Sequence, residues 1–429
     1  MKHLLRVMIL CVAGCILLTG LVFAGGKPES KEGPVKLAMW TSQGDFDSLK
    51  AMYKRFEEET GHSLSITWMP DDGFETATIT KWATGERPDI ISYHASKTAM
   101  LELNAKENLR DLSNQNFINK FLPGILDFVT LERKVYGIIT SPLIGLGMYY
   151  NKQIFDRLGL KLPTNAAELE QVCKMIKEKD PSITPIFEAG ASVWPPQILQ
   201  ISFTADSSAE WQPRLDNRTA RVSDPDSPFL RAMRFYKKFQ DSGYFNEDIL
   251  TAEYEDSYIA LVEGRAAMVA QHSGLVVDSI EAFGQDVVGQ KVGFFAWAER
   301  KPILAVGTVP HGTYYLPKTG NPQQEAAAIK FLEFMTGPAY VDYVKKSKQL
   351  PVMKGVPVPD GLPAPTLDMK KYFDSGAITV DSPTGPGTQL RADLMNEMIA
   401  GQISPEEVAR RLHDSMNQAA RASGQKGWD

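Results

Sequence analysis

The chain has 429 residues, of which 43% are apolar and 10% aromatic, and a formal net charge of −6. That length and apolar share exclude an intrinsically disordered chain and suit two or three domains or one large two-lobed body. The acidic balance argues against nucleic acid or an anionic membrane surface as the main partner.

Lys2 and Arg6 precede an apolar stretch over 7–23, and Val22-Phe23-Ala24 sets compact residues ahead of a cut after Ala24. This is the pattern of a secretory signal peptide over 1–24, and it predicts export to the periplasm or the cell-envelope exterior. Two other readings stay open. The stretch is about long enough to span a bilayer as an uncleaved anchor. Val12-Ala13-Gly14-Cys15 also matches a lipobox with Cys15 as the lipidated residue, although Ile16-Leu17-Leu18 continue the apolar run beyond it. Cleavage after Ala24 removes Lys2 and Arg6 and moves the net charge from −6 to −8. It also removes Cys11 and Cys15, so Cys173 is left without a partner for an intrachain disulfide. Cys173 shares an apolar helical stripe with Leu169, Val172 and Ile176, the place of a small buried hydrophobe rather than a nucleophile.

A polar linker at 25–33 leads to a strand at 35–40 and a helix opening at Asp45, with Phe46, Leu49, Met52, Tyr53 and Phe56 on its apolar face and Gly61 as its stop. A strand at 64–68, a helix at 74–83 and a short buried strand at 88–91 follow. This βαβαβ rhythm predicts parallel strands with helices packed on the sheet, and ligands meet such sheets at the carboxyl ends of the strands. The next stretch, 136–155, has two β-rich runs, 136–140 and 146–150, around Ser141-Pro142-Leu143-Ile144-Gly145. Pro142 cannot donate to a ladder and the glycines loosen the backbone, so this stretch reads as a crossing between two lobes.

Helices are predicted at 151–158 and 166–179, a strand at 184–187, a loop at 190–196 carrying Trp194, and a helix at 197–204. The segment 205–222 is polar and turn-rich, with Trp211 embedded. Helices at 228–240 and 254–263 precede a strand at 266–270 and the loop Gln271-His272-Ser273-Gly274. Strands are expected at 292–295 and 313–316, helices at 323–335 and from Pro338, an irregular Pro-rich segment at 352–365, and closing helices at 389–400 and 405–420.

In this order and spacing, TGERPDIIS (84–92), YGIITSPLIGLGMYYNKQIF (136–155), LVEGRAAMVAQHSG (261–274) and LPKTGNPQQEAAAIKFLEFMTGPAYVDYV (316–344) resemble the extracellular solute-binding proteins, family 1, of bacterial ABC transporters, the maltose and oligosaccharide group. The resemblance covers nearly the whole mature chain. It implies an α/β fold of the periplasmic-binding-protein type (type II), with two lobes, each a sheet flanked by helices, joined by hinge crossings. It further implies a sugar ligand held between the lobes, delivery to the transmembrane subunits of an ABC permease, and a monomer. The chain is accordingly divided into the signal peptide, the linker, a first lobe over 34–141, a second lobe over 142–294, a return to the first lobe over 295–336, and second-lobe C-terminal helices over 337–429. The later crossings are thus expected near Phe295 and Gly337.

A sugar cleft combines aromatic faces with side chains that exchange hydrogen bonds with hydroxyls. Trp40 and Gln43 follow the first strand, and Tyr93 and His94 follow the third. Trp194 sits in a Gly/Ser/Pro loop. Where the family often has a Gly-Ser-Trp-like run whose Trp contacts sugar, this chain has His272-Ser273-Gly274, so Gln271 or His272 would replace stacking with hydrogen bonds. His311, Gly312 and Tyr314 lie near the later crossing, and Trp297 follows the strand at 292–295. Trp40 reads as a cleft residue with a core place as the alternative, Trp297 reads equally as core, and Asp71-Asp72 reads as a polar turn rather than a ligand. Two rivals remain. One is a metal-binding protein of the same fold using Tyr149-Tyr150 or Tyr314-Tyr315, whose members alternate in strands and so face opposite ways. The other is an exported carbohydrate-active enzyme with an acid/base pair. No nucleophile elbow, P-loop, zinc-binding helix or dinucleotide turn occurs, so no enzyme, cofactor or metal is expected.

Overall fold

Lys36–Ser42 (β1) and Ser63–Met69 (β2) run parallel with every residue of one facing a residue of the other, from Lys36 opposite Ser63 to Ser42 opposite Met69. The helix between them, Asp47–Thr60, buries Leu49, Met52, Tyr53 and Phe56. It stops at Gly61, whose φ of 74° lets its N–H return to the Glu57 carbonyl. Ile90–Ser92 (β3) joins β1 on the other side, also parallel. The predicted βαβαβ unit is therefore present. The structure, a computed structural model, describes residues 33–70, 74–122, 124–307, 311–347, 349–380 and 390–422. The signal peptide, Cys15, the linker as far as residue 32 and Asp71-Asp72 lie outside the described residues. From Val35 onward the chain forms one unit.

Beyond β3, Thr130–Leu131 (β4) and Lys134–Val135 (β5) make a small hairpin, and Gly137–Ile139 (β6) returns to the first sheet. The chain then crosses to Ile144–Asn151 (β7), Thr184–Phe187 (β8), Ala266–His272 (β9), Val292–Phe295 (β10) and Leu304–Gly307 (β11). It re-enters the first sheet as Thr313–Tyr315 (β12) and adds Ile378–Val380 (β13) to the second. The first sheet has the order β2-β1-β3-β12-β6 and the second β13-β11-β7-β9-β8, with β10 also paired to β7.

The eight residues of β7 hold the second sheet together. One edge pairs antiparallel with β9 from Leu146 to Tyr150. The other edge pairs first with β11 and then with β10. Leu146 and Met148 pack into one core layer and Tyr149 into the other, as strand alternation requires. Gly147 is needed because a Cβ there would stand 2.6 Å from the Phe294 ring. Asn151 ends β7 by capping the helix Lys152–Leu158, accepting from the Ile154 N–H at 3.1 Å, and its amide donates to the Leu261 carbonyl at 2.8 Å. The Tyr-Asn-Lys segment is scaffold.

The later crossings fall elsewhere than expected. Both β10 and β11 belong to the second sheet, so the chain returns to the first lobe between Gly307 and Thr313, not near Phe295. The return from the first lobe comes later than Gly337 as well. The helix Pro338–Ser347 packs on Asp47–Thr60, and the Leu122 N–H donates to the Val352 carbonyl at 3.0 Å, all within the first lobe. The helix Ala364–Ser375, not anticipated, is the next to pack on the second sheet, against β10. Nor was the helix Ser208–Asp216, in the stretch read as turns. Pro213 inside it forgoes one hydrogen bond, but Trp211 and Leu215, four residues apart on one face, are both buried.

Candidate functional site

At the carboxyl end of β1 the chain turns through an exposed Gln43 to a buried Asp45. The Asp45 carboxylate accepts from the Thr41 hydroxyl at 2.8 Å and the Tyr53 hydroxyl at 2.7 Å on one oxygen. His311 Nδ1 stands 3.1 Å from the other. Tyr53 and Tyr314 hydroxyls are 2.9 Å apart. Since Tyr53 gives its proton to Asp45, Tyr314 is the donor in that pair. Burial, with the Asp45 charge adding to it, pushes both phenols well above their ordinary range, so they stay protonated donors.

This cluster ties the first lobe to both nearby crossings. The Thr140 N–H donates to the Gly312 carbonyl at 2.7 Å, and the Thr140 hydroxyl to the same oxygen at 3.0 Å. Gly312 has φ of 72°, and a Cβ there would stand 2.9 Å from the Ser141 nitrogen. The two crossings therefore touch backbone to backbone, and glycine is required where they meet.

In the second lobe, Trp194 stacks on His272 with centroids 5.0 Å apart and planes at 26°. Tyr254 closes the group, 5.7 Å from His272 and 5.2 Å from Trp194. His272 Nδ1 accepts the Gly274 N–H at 2.9 Å, which leaves Nε2 to carry the proton of the neutral ring. Burial holds this imidazole below its ordinary pKa, with Asp278 pulling weakly the other way. Val193, just before Trp194, adopts φ of 65°, a strained conformation for a β-branched residue.

Between the lobes lies a cavity of ≈ 450 Å³. The first lobe contributes Lys97 and Phe128, and the second contributes Gln200, Trp211, Phe229 and Arg391, while Leu143 lies in the first crossing. Arg214 lies over the Trp211 ring at 4.1 Å. Arg391 Nε donates to Gln197 at 2.7 Å, and the Gln197 N–H bonds the Trp194 carbonyl, so the cavity wall is hydrogen-bonded to the Trp194 loop.

The candidates from sequence distribute unevenly. Trp194 and His272 come together, joined by Tyr254, outside the cavity lining, and are linked to its wall by hydrogen bonds through Gln197 to Arg391. Gln43 is exposed at the end of β1. Trp40 is buried, with Lys81 Nζ 5.4 Å from its ring, and belongs to the first-lobe core. Tyr93 is buried against Phe74 and bonds Glu102, and His94 offers its carbonyl to the buried Tyr315 hydroxyl at 2.7 Å. Gly312 and Tyr314 belong to the buried hinge cluster. Trp297 is fully buried beside Phe203 and Phe235 in the second-lobe core, which removes it from the cleft. Tyr149, Tyr314 and Tyr315 are likewise fully buried, so neither tyrosine pair presents two phenols to a ligand. Sequence reading missed Gln200 and Arg391. Gln200 carried a signal, a lone amide within the apolar run Ile198-Leu199-Gln200-Ile201.

Residues 40–342 match the family model of the bacterial extracellular solute-binding proteins. The multiple sugar-binding protein of Streptococcus mutans is 25% identical over 320 residues, 72% of each chain. The melibiose/raffinose/stachyose-binding protein of Bacillus subtilis is 23% identical over 332 residues, again 72% of each. The structure of apo RafE from Streptococcus pneumoniae superposes with a TM-score of 0.72 at 20% identity, covering 90% of this chain and 98% of that one. The two-lobed, type II periplasmic-binding-protein fold is therefore the fold of this chain. Its family is one of binding proteins rather than enzymes. The chain belongs to the bacterial extracellular solute-binding proteins.

Proposed function

We propose that the chain is the exported substrate-binding component of an ABC importer, and that it holds an oligosaccharide between its lobes and delivers it to a membrane permease. The observation that carries this reading is the interlobe cavity, whose wall mixes the rings of Phe128, Trp211 and Phe229 with amide and cationic side chains. Rings match the C–H faces of a sugar and the polar groups match its hydroxyls. A cavity of ≈ 450 Å³ falls within the range of small-molecule sites, about 300–1,000 Å³. Two relatives named for sugars support the ligand class. The protein acts as a monomer, without nucleic acid, metal or cofactor, and returns its ligand unchanged.

A thermal-shift screen over raffinose, stachyose, melibiose, chito-oligosaccharides and galacturonan oligomers, with amino acids and peptides as controls, tests the proposal. A ligand bound only by the folded protein raises the melting temperature with concentration. At least one sugar is expected to do so, and to be recovered intact after long incubation. A shift confined to peptides, or hydrolysis of the sugar, overturns the reading. Mass analysis of the mature amino terminus separates cleavage after Ala24 from lipidation at Cys15.

A further inference from the structure

We infer that the interlobe cavity selects a carboxylated oligosaccharide, with the Arg391 guanidinium as the group that receives the carboxylate; this rests on the proposed reading of the cavity as the sugar site. Lys97, Asp127 and Arg391 are the charged residues of the cavity wall. Lys97 and Asp127 both come from the first lobe and offset each other in charge, so Arg391 leaves the wall net positive. A chain whose formal net charge is −6 thus turns the opposite sign to the space between its lobes.

Arg391 is half-buried and is held by a neutral amide. Gln197 Nε2 donates to the Trp194 carbonyl at 3.4 Å, which turns Oε1 toward Arg391, and Oε1 accepts from Arg391 Nε at 2.7 Å. Nη1 and Nη2 have no partner among the described residues, and neither is sealed from solvent. Other half-buried arginines differ: Arg110, Arg231 and Arg411 each meet a carboxylate, of Glu325, Glu299 and Glu397. Nor does the local helix call for a cation. Arg391 is the first residue of the helix Arg391–Ile399, where positive charge opposes the helix dipole, and the residues three and four further on are Leu394 and Met395. With Nε taken, Nη1 and Nη2 are the fork left to grip one planar carboxylate through two parallel hydrogen bonds. A partly desolvated cation without a counter-charge is costly, and a ligand that supplies the charge recovers that cost on binding. A sugar hydroxyl offers the same fork only a neutral acceptor and gains less.

The test is calorimetric titration of the mature protein with galacturonan oligomers, with the same oligomers methyl-esterified at their carboxyl groups, and with raffinose and stachyose as neutral sugars. The wild type is expected to bind the free acid at least about tenfold tighter than the ester. That margin is expected to shrink as salt is raised. Arg391→Gln is expected to bring the two affinities together, and Arg391→Lys, which keeps the charge without the fork, to fall between. A wild type that binds the ester or the neutral sugars as tightly as the free acid overturns the inference and leaves the sugar reading intact. So does a preference for the acid that survives in Arg391→Gln, or an equal loss of acid and ester, which a purely structural role of Arg391 predicts. If the wild type binds no saccharide, charged or neutral, both readings fall. The ratio of acid to ester in the wild type needs no variant, so it decides the matter even where a substituted protein fails to fold.

Discussion

In the first lobe the Asp45 carboxylate is buried with Thr41, Tyr53 and His311 around it, and the chain of donors continues to Tyr314. In the second lobe the Glu188 carboxylate, Gln200 Oε1 and Trp211 Nε1 are equally buried and have no such partners. The first arrangement stabilises and positions; it fixes the first lobe to the touching crossings at Thr140 and Gly312. The second leaves its hydrogen bonds unmet, and two of its three residues, Gln200 and Trp211, belong to the helices that wall the cavity. Buried polarity alone therefore does not mark a site. What separates the two regions is whether the protein supplies the partners itself.

The largest expected effect lies in the paired region. Asp45→Ala leaves Thr41, Tyr53 and His311 without their acceptor and is predicted to cost about 3 kcal/mol or more, read as a lower urea midpoint. Little loss would mean that the cluster does not hold the crossings.

Glu188 sharpens the contrast, because it lies outside the cavity wall and is driven well above the carboxylate range by burial, with Tyr236 opposing weakly. The folded protein keeps this proton while the unfolded chain releases it above about pH 4.5. Its burial therefore costs progressively more stability as pH rises from there. Glu188→Gln is expected to raise the melting temperature at pH 7 to 8, by more than it does near pH 5. A gain equal at both pH values would show that the carboxylate is already satisfied.

A smaller effect belongs to His272. Burial depresses its pKa, so the unfolded chain binds its proton more readily than the folded one. Stability is full above about pH 6.5, the unfolded value, and declines as pH falls through the depressed folded value. His413 is depressed in the same direction, also chiefly by burial. His272→Asn is thus predicted to shrink the loss of melting temperature between pH 7 and pH 5 without abolishing it.

The sequence carried the parallel unit, the crossing at Ser141 and the family, because these rest on local periodicity and on long segments in order. It did not carry the second and third crossings. Leu304–Gly307 is four residues long, and nothing local says that it pairs with Ile144–Leu146 rather than with the first sheet. Aromatic candidates failed for a related reason. Trp40, Trp194 and Trp297 look alike in sequence, yet packing buries the first and last in the two cores. Trp211 lies in a polar, turn-rich stretch whose Pro213 hides the helix Ser208–Asp216. Gln200 was the legible clue, a polar residue in an apolar run.

The central claim is that a sugar occupies the space between the lobes, and the most direct test is to fill that space. Thr379, on β13, lines the cavity and is half-buried. Thr379→Trp is predicted to abolish binding of every oligosaccharide that the wild type takes up, by about a hundredfold or more on the scale where 1.4 kcal/mol is tenfold, with the circular dichroism spectrum and melting temperature retained. A Thr379→Trp protein that binds the same sugars with wild-type affinity would place the ligand elsewhere and contradict the account.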